Sequence, residues 1–276
     1  MMKKVCILII GILLYFQQPL FASFELKGYG ARARGMGHAY TGLANTPDAI
    51  FTNPAGMAQL NTGAVSFLYL CPFGIKELAY YSFAGVMPTP WGNLSTGISS
   101  FGNQLYQEQS VLLNFSHKIS GNIFLGLNIH YMKLQITQYG SDFSFGFDLG
   151  FLIHLSPLLN WGFYSNNINR ASLGKSGNDY LPQVFSTGFS LFPIKNLIFN
   201  VDVYKELPFP LEVRAGFEYL FARKIAIRSG FITNPSQFCL GLGFLFKYFR
   251  CDYAINTHPD LGLTHQISVQ LNLKNK

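Results

Sequence analysis

The sequence predicts an all-β protein, a transmembrane antiparallel β-barrel of about 14 strands closed around a short N-terminal plug or hatch. Three observations predict it. Apolar residues alternate with small or polar ones over most of the chain behind residue 62, and successive strand side chains point to opposite faces. Charged residues are 12% of the chain and aromatic residues 16%, whereas about a quarter of a soluble domain is charged. Beyond the N-terminus no uninterrupted apolar run of about 18 residues occurs, so the oily residues are not arranged as membrane helices.

Residues 1–23 read as a secretory signal. Lys3 and Lys4 form the basic start, Val5 to Phe16 the apolar middle, and Leu20-Phe21-Ala22 or Phe21-Ala22-Ser23 a small-residue cleavage site. An uncleaved interfacial helix is the alternative. Residues 24–61 form the expected hatch and 62–276 the barrel.

The hatch carries two turn-to-helix signals. In Asn53-Pro54-Ala55-Gly56-Met57 an Asn cap precedes a Pro at the first helical position. Thr46-Pro47-Asp48 repeats the arrangement, with Thr46 as the expected cap and Asp48 near the positive helix end. Two short turns in series are expected, with Ile50 and Phe51 between them. Gly35, Met36 and Gly37 fall where backbone can pack closely or take positive φ.

These residues carry a resemblance. Ala31 to Ala39, ARARGMGHA, followed by Asp48-Ala49-Ile50-Phe51 and Asn53-Pro54-Ala55-Gly56-Met57, resembles the N-terminal signature of the PorV/PorQ-like branch of the FadL-type outer-membrane barrel superfamily. A paired acid in that signature is replaced here by Asn45-Thr46. Asp252-Tyr253-Ala254 and Leu261 to Ser268 resemble the family near the C-terminus. The resemblance implies an outer-membrane barrel of a Gram-negative bacterium, with a role either in type IX-like protein secretion and surface display or in hydrophobic transport.

The strands follow in order. Phe143, Phe145, Phe147, Leu149, Phe151, Ile153 and Leu155 share one face, opposite Ser144, Gly146, Asp148 and Gly150. The same rhythm places Leu197 to Val203 opposite Asn200 and Asp202, Leu211 to Phe221 opposite Glu212, Arg214 and Glu218, and Ile267 to Leu273 opposite Gln266, Ser268 and Gln270. Turn signals such as Ser120-Gly121-Asn122, Ser156-Pro157 and Asn234-Pro235-Ser236 separate the segments. Twelve strands is the alternative count, because 62–102 and 160–170 alternate weakly. Residues 171–182 read as an extracellular loop.

The remaining features exclude more than they assign. The net charge of +7 becomes 7 − 2 = +5 without Lys3 and Lys4, and the basic residues are scattered, so no nucleic-acid partner is expected. With Cys6 in the signal, Cys71, Cys239 and Cys251 remain. Cys239 and Cys251 either pair across neighbouring strands or stay free. No nucleophile–base motif, metal-ligand spacing or phosphate loop occurs, so neither enzyme activity nor a cofactor or metal is expected. Asp148, Asp202, Glu212, Arg214, Glu218 and Arg228 fall on inward faces, since lipid exposure would cost several kcal/mol each. They serve either to pair and hold the wall to the hatch or to line a polar pathway.

Beyond outer-membrane lipid, two kinds of partner follow. The leading expectation is a non-enzymatic accessory of secretion, contacting secretion-system proteins or secreted passengers. The alternative is a channel for hydrophobic small molecules or fatty acids, with an apolar pocket at the hatch near Phe51 and Met57.

Overall fold

The computed structural model describes residues 23–25, 29–174 and 179–273. The expected signal, apart from Ser23, lies outside the described residues. The barrel wall begins with β1 (Ala64–Cys71), β2 (Tyr80–Thr89), β3 (Gly92–Gly102), β4 (Tyr106–Ser120), β5 (Ile123–Ile136), β6 (Gly140–Ser156) and β7 (Leu159–Asn166). A two-residue ladder, β8 (Ser172–Leu173) with β9 (Asp179–Tyr180), stands apart from the wall. The wall resumes with β10 (Gln183–Ile194), β11 (Leu197–Leu207), β12 (Glu212–Phe221), β13 (Ile225–Ile232), β14 (Gln237–Leu245), β15 (Phe249–His258) and β16 (Gly262–Asn272). Each wall strand pairs with its neighbour in the chain, β7 with β10 included, and β1 pairs with β16 to close the ring. Fourteen strands therefore form a closed antiparallel barrel, and the count of twelve is superseded. The weakly alternating stretches supply β1 to β3 and β7.

The alternation decides which face meets what. Phe67, Phe143, Phe145, Phe199, Phe217 and Phe238 point outward and are 37–65% exposed. Closure lets an oily belt face outward without leaving an unpaired strand edge. The opposite face is buried and polar, with Asn114, Asn128, Asp148, Asn200, Asp202 and Arg228 among its residues. No helix among the described residues is long and apolar enough to cross a membrane.

The two ends differ. Where β1 begins and β16 ends, the connections are two or three residues long: 90–91, 121–122, 157–158, 195–196, 222–224 and 246–248. This is the turn end. The other, loop end carries 72–79 and 167–182 together with connections of three or four residues. The described residues of 171–182 thus belong to this connection, held partly by Asn167, whose Nδ2 donates to Leu181 O at 3.0 Å.

The plug fills the middle. Helix α1 (Ala31–Gly35) is followed by 3₁₀ turns at Pro47–Phe51 and Pro54–Gln59. Asn53 caps the second turn, its Oδ1 accepting from Ala55 N at 3.2 Å. Thr46 makes no cap bond. Its hydroxyl is taken by the Tyr40 hydroxyl at 2.9 Å, which corrects the expected cap. Ile50 and Phe51 also lie within the first turn rather than between the two.

Wall glycines make room for the plug backbone. A β-carbon at Gly216 or Gly230 would collide with the backbone of Met36 and Gly37, and one at Gly126 or Gly150 with the Asn53-Pro54-Ala55 stretch. The Gly-rich pattern of the inward faces is thus a seat cut to the plug, which explains why small residues alternate with large ones in β5, β6, β12 and β13.

Candidate functional site

The plug and wall are joined by two kinds of contact. Towards β3 to β6 the contacts are neutral. Asn53 Nδ2 donates to Thr41 O at 2.9 Å and to Phe151 O at 3.0 Å. Asn128 Nδ2 reaches Ile50 O at 2.9 Å, and Asn93 Nδ2 reaches Met57 O at 2.6 Å and Leu60 O at 2.8 Å. On β11, Asp202 Oδ2 accepts from Tyr40 N at 2.8 Å, Thr41 N at 2.9 Å and Thr41 Oγ1 at 2.6 Å. Asn93, Asn128 and Asp202 of the wall thereby satisfy plug backbone groups, and Asn53 of the plug joins its own backbone to that of β6.

Towards β12 to β15 the contacts are ionic. Glu218 Oε1 accepts from Arg32 Nη2 at 2.6 Å, and its Oε2 from Arg32 Nε at 2.8 Å and Arg228 Nε at 2.5 Å. Arg250 Nη2 lies 3.3 Å from the same Oε2, and its Nε donates to Asp252 Oδ2 at 2.7 Å. Arg228 Nη2 and Asp252 Oδ1 are 2.8 Å apart, an ion pair without hydrogen-bond alignment. Three guanidinium groups thus share two carboxylates. Buried charges persist only when paired and hydrogen-bonded, so this network ties α1 to the wall.

All six inward charges expected from the alternation point into the barrel, but they do not form one site. Glu218 and Arg228 belong to the ionic network. Glu212 pairs with Arg214 at 2.8 Å, and the Arg214 guanidinium lies 3.4 Å from the centre of the Tyr204 ring. Asp202 holds the plug backbone. Asp148 holds the wall and its loop, accepting from Asn128 Nδ2 at 3.1 Å and Asn167 N at 2.9 Å. Of the hatch residues, Gly35, Met36 and Gly37 meet the glycine seat on β12 to β14. Asn53, Pro54, Ala55 and Gly56 form the capped turn, and a β-carbon on Gly56 would collide with Ala44. The Asp48 carboxylate accepts the Ser66 hydroxyl. Burial raises its pKa to about 6.

Two cavities flank α1. One of about 530 Å³ opens at the loop end. Phe73, Phe101, Phe209 and Leu261 give it apolar surface, Tyr29, Arg34 and His38 line it from the plug, and Arg214 with Glu108, Glu206 and Glu212 lines it from the wall. The other, of about 470 Å³, lies towards the turn end against Phe192, Ile194, Leu220, Arg32, Glu218 and Arg250. Residues two apart on a helix project to nearly opposite sides, so Arg32 serves one cavity and Arg34 the other. The apolar pocket expected at Phe51 and Met57 is not where the space is. Met57 is fully buried in the plug core, and Phe51 borders only about 50 Å³.

Arg32, Arg34, His38 and Arg250 were not picked out as a site by the sequence. The available signal was two arginines in a Gly- and Ala-rich segment expected inside a lumen. Cys71, Cys239 and Cys251 are free thiols, which resolves the open pairing. Among the described residues no group of three or more His, Cys, Asp or Glu side chains could hold a metal ion.

No family model and no curated protein sequence matches the chain. Solved structures do. The toluene transporter TodX of Pseudomonas putida is similar with a TM-score of 0.69 at 12% identity, covering 91% of this chain and 100% of that one. The fold is that of the FadL-type hydrocarbon channels. The monoaromatic hydrocarbon channel CymD is similar with a TM-score of 0.67 at 14% identity, covering 92% of this chain and 100% of that one. A Pseudomonas aeruginosa FadL homologue gives 0.64 at 12%, with the same coverages. The FadL-type half of the sequence resemblance thus has a structural counterpart, whereas its PorV/PorQ half rests on the motifs alone.

Proposed function

We propose that the protein is a non-catalytic outer-membrane channel for hydrophobic small molecules. This is the alternative of the two sequence expectations rather than the leading one. The observation that carries it is the cavity of about 530 Å³, lined by apolar residues such as Phe73, Phe101, Phe209 and Leu261 together with several charged groups, open at the loop end and floored by the plug. Concave, largely apolar spaces with a few convergent polar groups are where small ligands bind. Short turns face the periplasm in single-chain bacterial barrels, so this cavity opens to the outside. A second cavity, of about 470 Å³, lies on the periplasmic side of the same helix. Likeness to the TodX and CymD channels supports the reading at the level of fold. Most outer connections are only three or four residues long, which leaves little surface on which a secreted protein would dock.

Uptake of labelled toluene tests the proposal, in cells that lack a hydrocarbon channel of their own. Cells expressing this chain are expected to equilibrate faster than cells expressing an unrelated closed barrel. Equal rates overturn the reading. A loss of surface-displayed proteins on deleting the gene from its own host, with toluene uptake unchanged, returns the assignment to the secretion accessory.

A further inference from the structure

Charge is distributed unequally between the two ends of the barrel. Among the described residues the turn end exposes Lys118, Lys195, Arg223, Lys224 and Lys247 and no carboxylate. The wall carboxylates nearest that end, Glu218 and Asp252, are buried and engaged by Arg32, Arg228 and Arg250. The loop end exposes both signs, Lys76 and Arg170 with Glu77, Asp142, Asp179 and Asp260. All the turn-end cations but Lys118 fall in one arc. Lys195 stands in the turn between β10 and β11, Arg223 and Lys224 between β12 and β13, and Lys247 between β14 and β15. These turns follow one another along the rim, roughly 10 Å apart at two strand spacings each. The turns across the ring, at 90–91, 121–122 and 157–158, carry no charge. In the arc each cation borders exposed apolar or aromatic side chains. Ile194 precedes Lys195, Phe221 and Ile225 flank Arg223 and Lys224, and Phe246 and Tyr248 flank Lys247. Lys247 Nζ lies 5.2 Å from the centre of the Tyr248 ring.

We propose that this arc is a docking surface for anionic phospholipid of the periplasmic leaflet, with Lys195, Arg223, Lys224 and Lys247 taking the headgroup phosphates. The proposal rests on the outer-membrane placement with the turns facing the periplasm, and it is independent of the cargo. Aromatic side chains gather at the membrane–water interface, and Lys and Arg there lay their stems on apolar surface while lifting the charge to the headgroups. A turn in which the last oily residue is followed at once by a cation therefore lies at headgroup depth. Cations grouped without a carboxylate repel one another and attract anions. Each one near the surface favours an anionic lipid by about fivefold. Phosphatidylglycerol answers that charge, whereas zwitterionic phosphatidylethanolamine brings its own ammonium group. An acidic protein would instead call for cations standing clear of the lipid-facing side chains, on a polar surface.

The test offers the full-length barrel in detergent an equal mixture of phosphatidylglycerol and phosphatidylethanolamine of the same chains, and counts the lipids retained by native mass spectrometry. The parent is expected to prefer phosphatidylglycerol by roughly five- to thirtyfold, as one or two cations engage each headgroup. Arg223→Asn with Lys224→Gln should lower that preference by about fivefold or more. Asn suits position 223 because it tolerates the left-handed φ of 57° found there. Adding Lys195→Gln and Lys247→Gln should abolish the preference. These residues lie in exposed turns, so the variants should keep the folded, heat-modifiable gel mobility of the parent. Lys76→Gln with Arg170→Gln removes the same charge from the loop end as the first pair does from the arc, and should leave the preference unchanged. A parent that retains both lipids equally overturns the proposal. So does a loop-end pair that loses as much as the arc pair, since net charge and not place would then decide. A preference that survives all four arc substitutions overturns it as well. Deca-glutamate, bound by the parent and not by the fourfold variant while neither lipid is preferred, would give the arc to an acidic protein and overturn the lipid assignment. Toluene uptake is read separately, so each of these results leaves the channel reading where it stands.

Discussion

One side of the plug is held by amides and the other by charges, and the two sides do different work. Asn53, Asn93 and Asn128 bind carbonyl groups, so the 3₁₀ turns are fixed by neutral bonds that are directional and complete. Helix α1, by contrast, lies among Arg32, Arg34, Arg214, Arg228 and Arg250, which outnumber their paired carboxylates Glu212, Glu218 and Asp252. Both large cavities border α1. Two modes of fixation, amide and ionic, are therefore separated along a segment of only about thirty residues, from Tyr29 to Leu60.

The contrast can be broken at the glycine seat first. Gly230→Val places a side chain into the backbone of Met36 and Gly37, and should expel α1 while the barrel stays closed. A single-channel bilayer recording should then show a steady conductance that the parent lacks. A silent Gly230→Val barrel would mean that α1 does not depend on this seat. The next effect belongs to the ionic side. Glu218→Gln leaves Arg32, Arg228 and Arg250 with one carboxylate and should cost about 3–5 kcal/mol, read as a lower urea midpoint. Asn53→Ala on the neutral side should cost less, about 1–3 kcal/mol. If Asn53→Ala proves the more damaging, charge is not what binds α1.

The last effect, confined to one pH range, concerns Asp48. Its carboxyl titrates at about 6 in the folded protein against an ordinary 3.8. The native state therefore holds this proton more tightly than the unfolded chain. Its contribution to stability falls as pH rises from about 3.8 to about 6 and is level above that range. Asp48→Asn should remove this slope. Relative to the parent it should gain about 1–3 kcal/mol at neutral pH, and the gain should vanish in acid. A parallel pair of pH profiles for the two proteins would show that Asp48 is not the group responsible.

The wall was legible in the sequence because period two is local. Phe143 to Leu155 announce the outward face of β6 without reference to any other strand. The strands that read weakly have local reasons. β7 ends in Tyr164, Ser165 and Asn166, all buried, so its alternation is lost where the chain leaves the wall for the loop. The plug was legible in its Asn53-Pro54 turn, whose cap lies two residues from its partner. It was not legible at Arg32, because Glu218 lies 186 residues away in sequence. Nor was Thr46, since its bond to Tyr40 depends on how the plug folds back. Arg34 was no more legible, as its bond to Gln266 spans 232 residues of sequence.

The seam between β1 and β16 also governs how the molecule comes into being. The segment leading out of the plug enters β1 directly, and Gly63 O accepts from Leu273 N at 2.7 Å just beyond the pairing of Ala64 with Asn272. First and last strands must meet to complete both the ring and the anchorage of its contents. Such a pairing has the greatest sequence separation of any in the barrel, and distant pairings are slow to find. The ring and the anchorage of the plug are therefore completed last, when β16 meets β1.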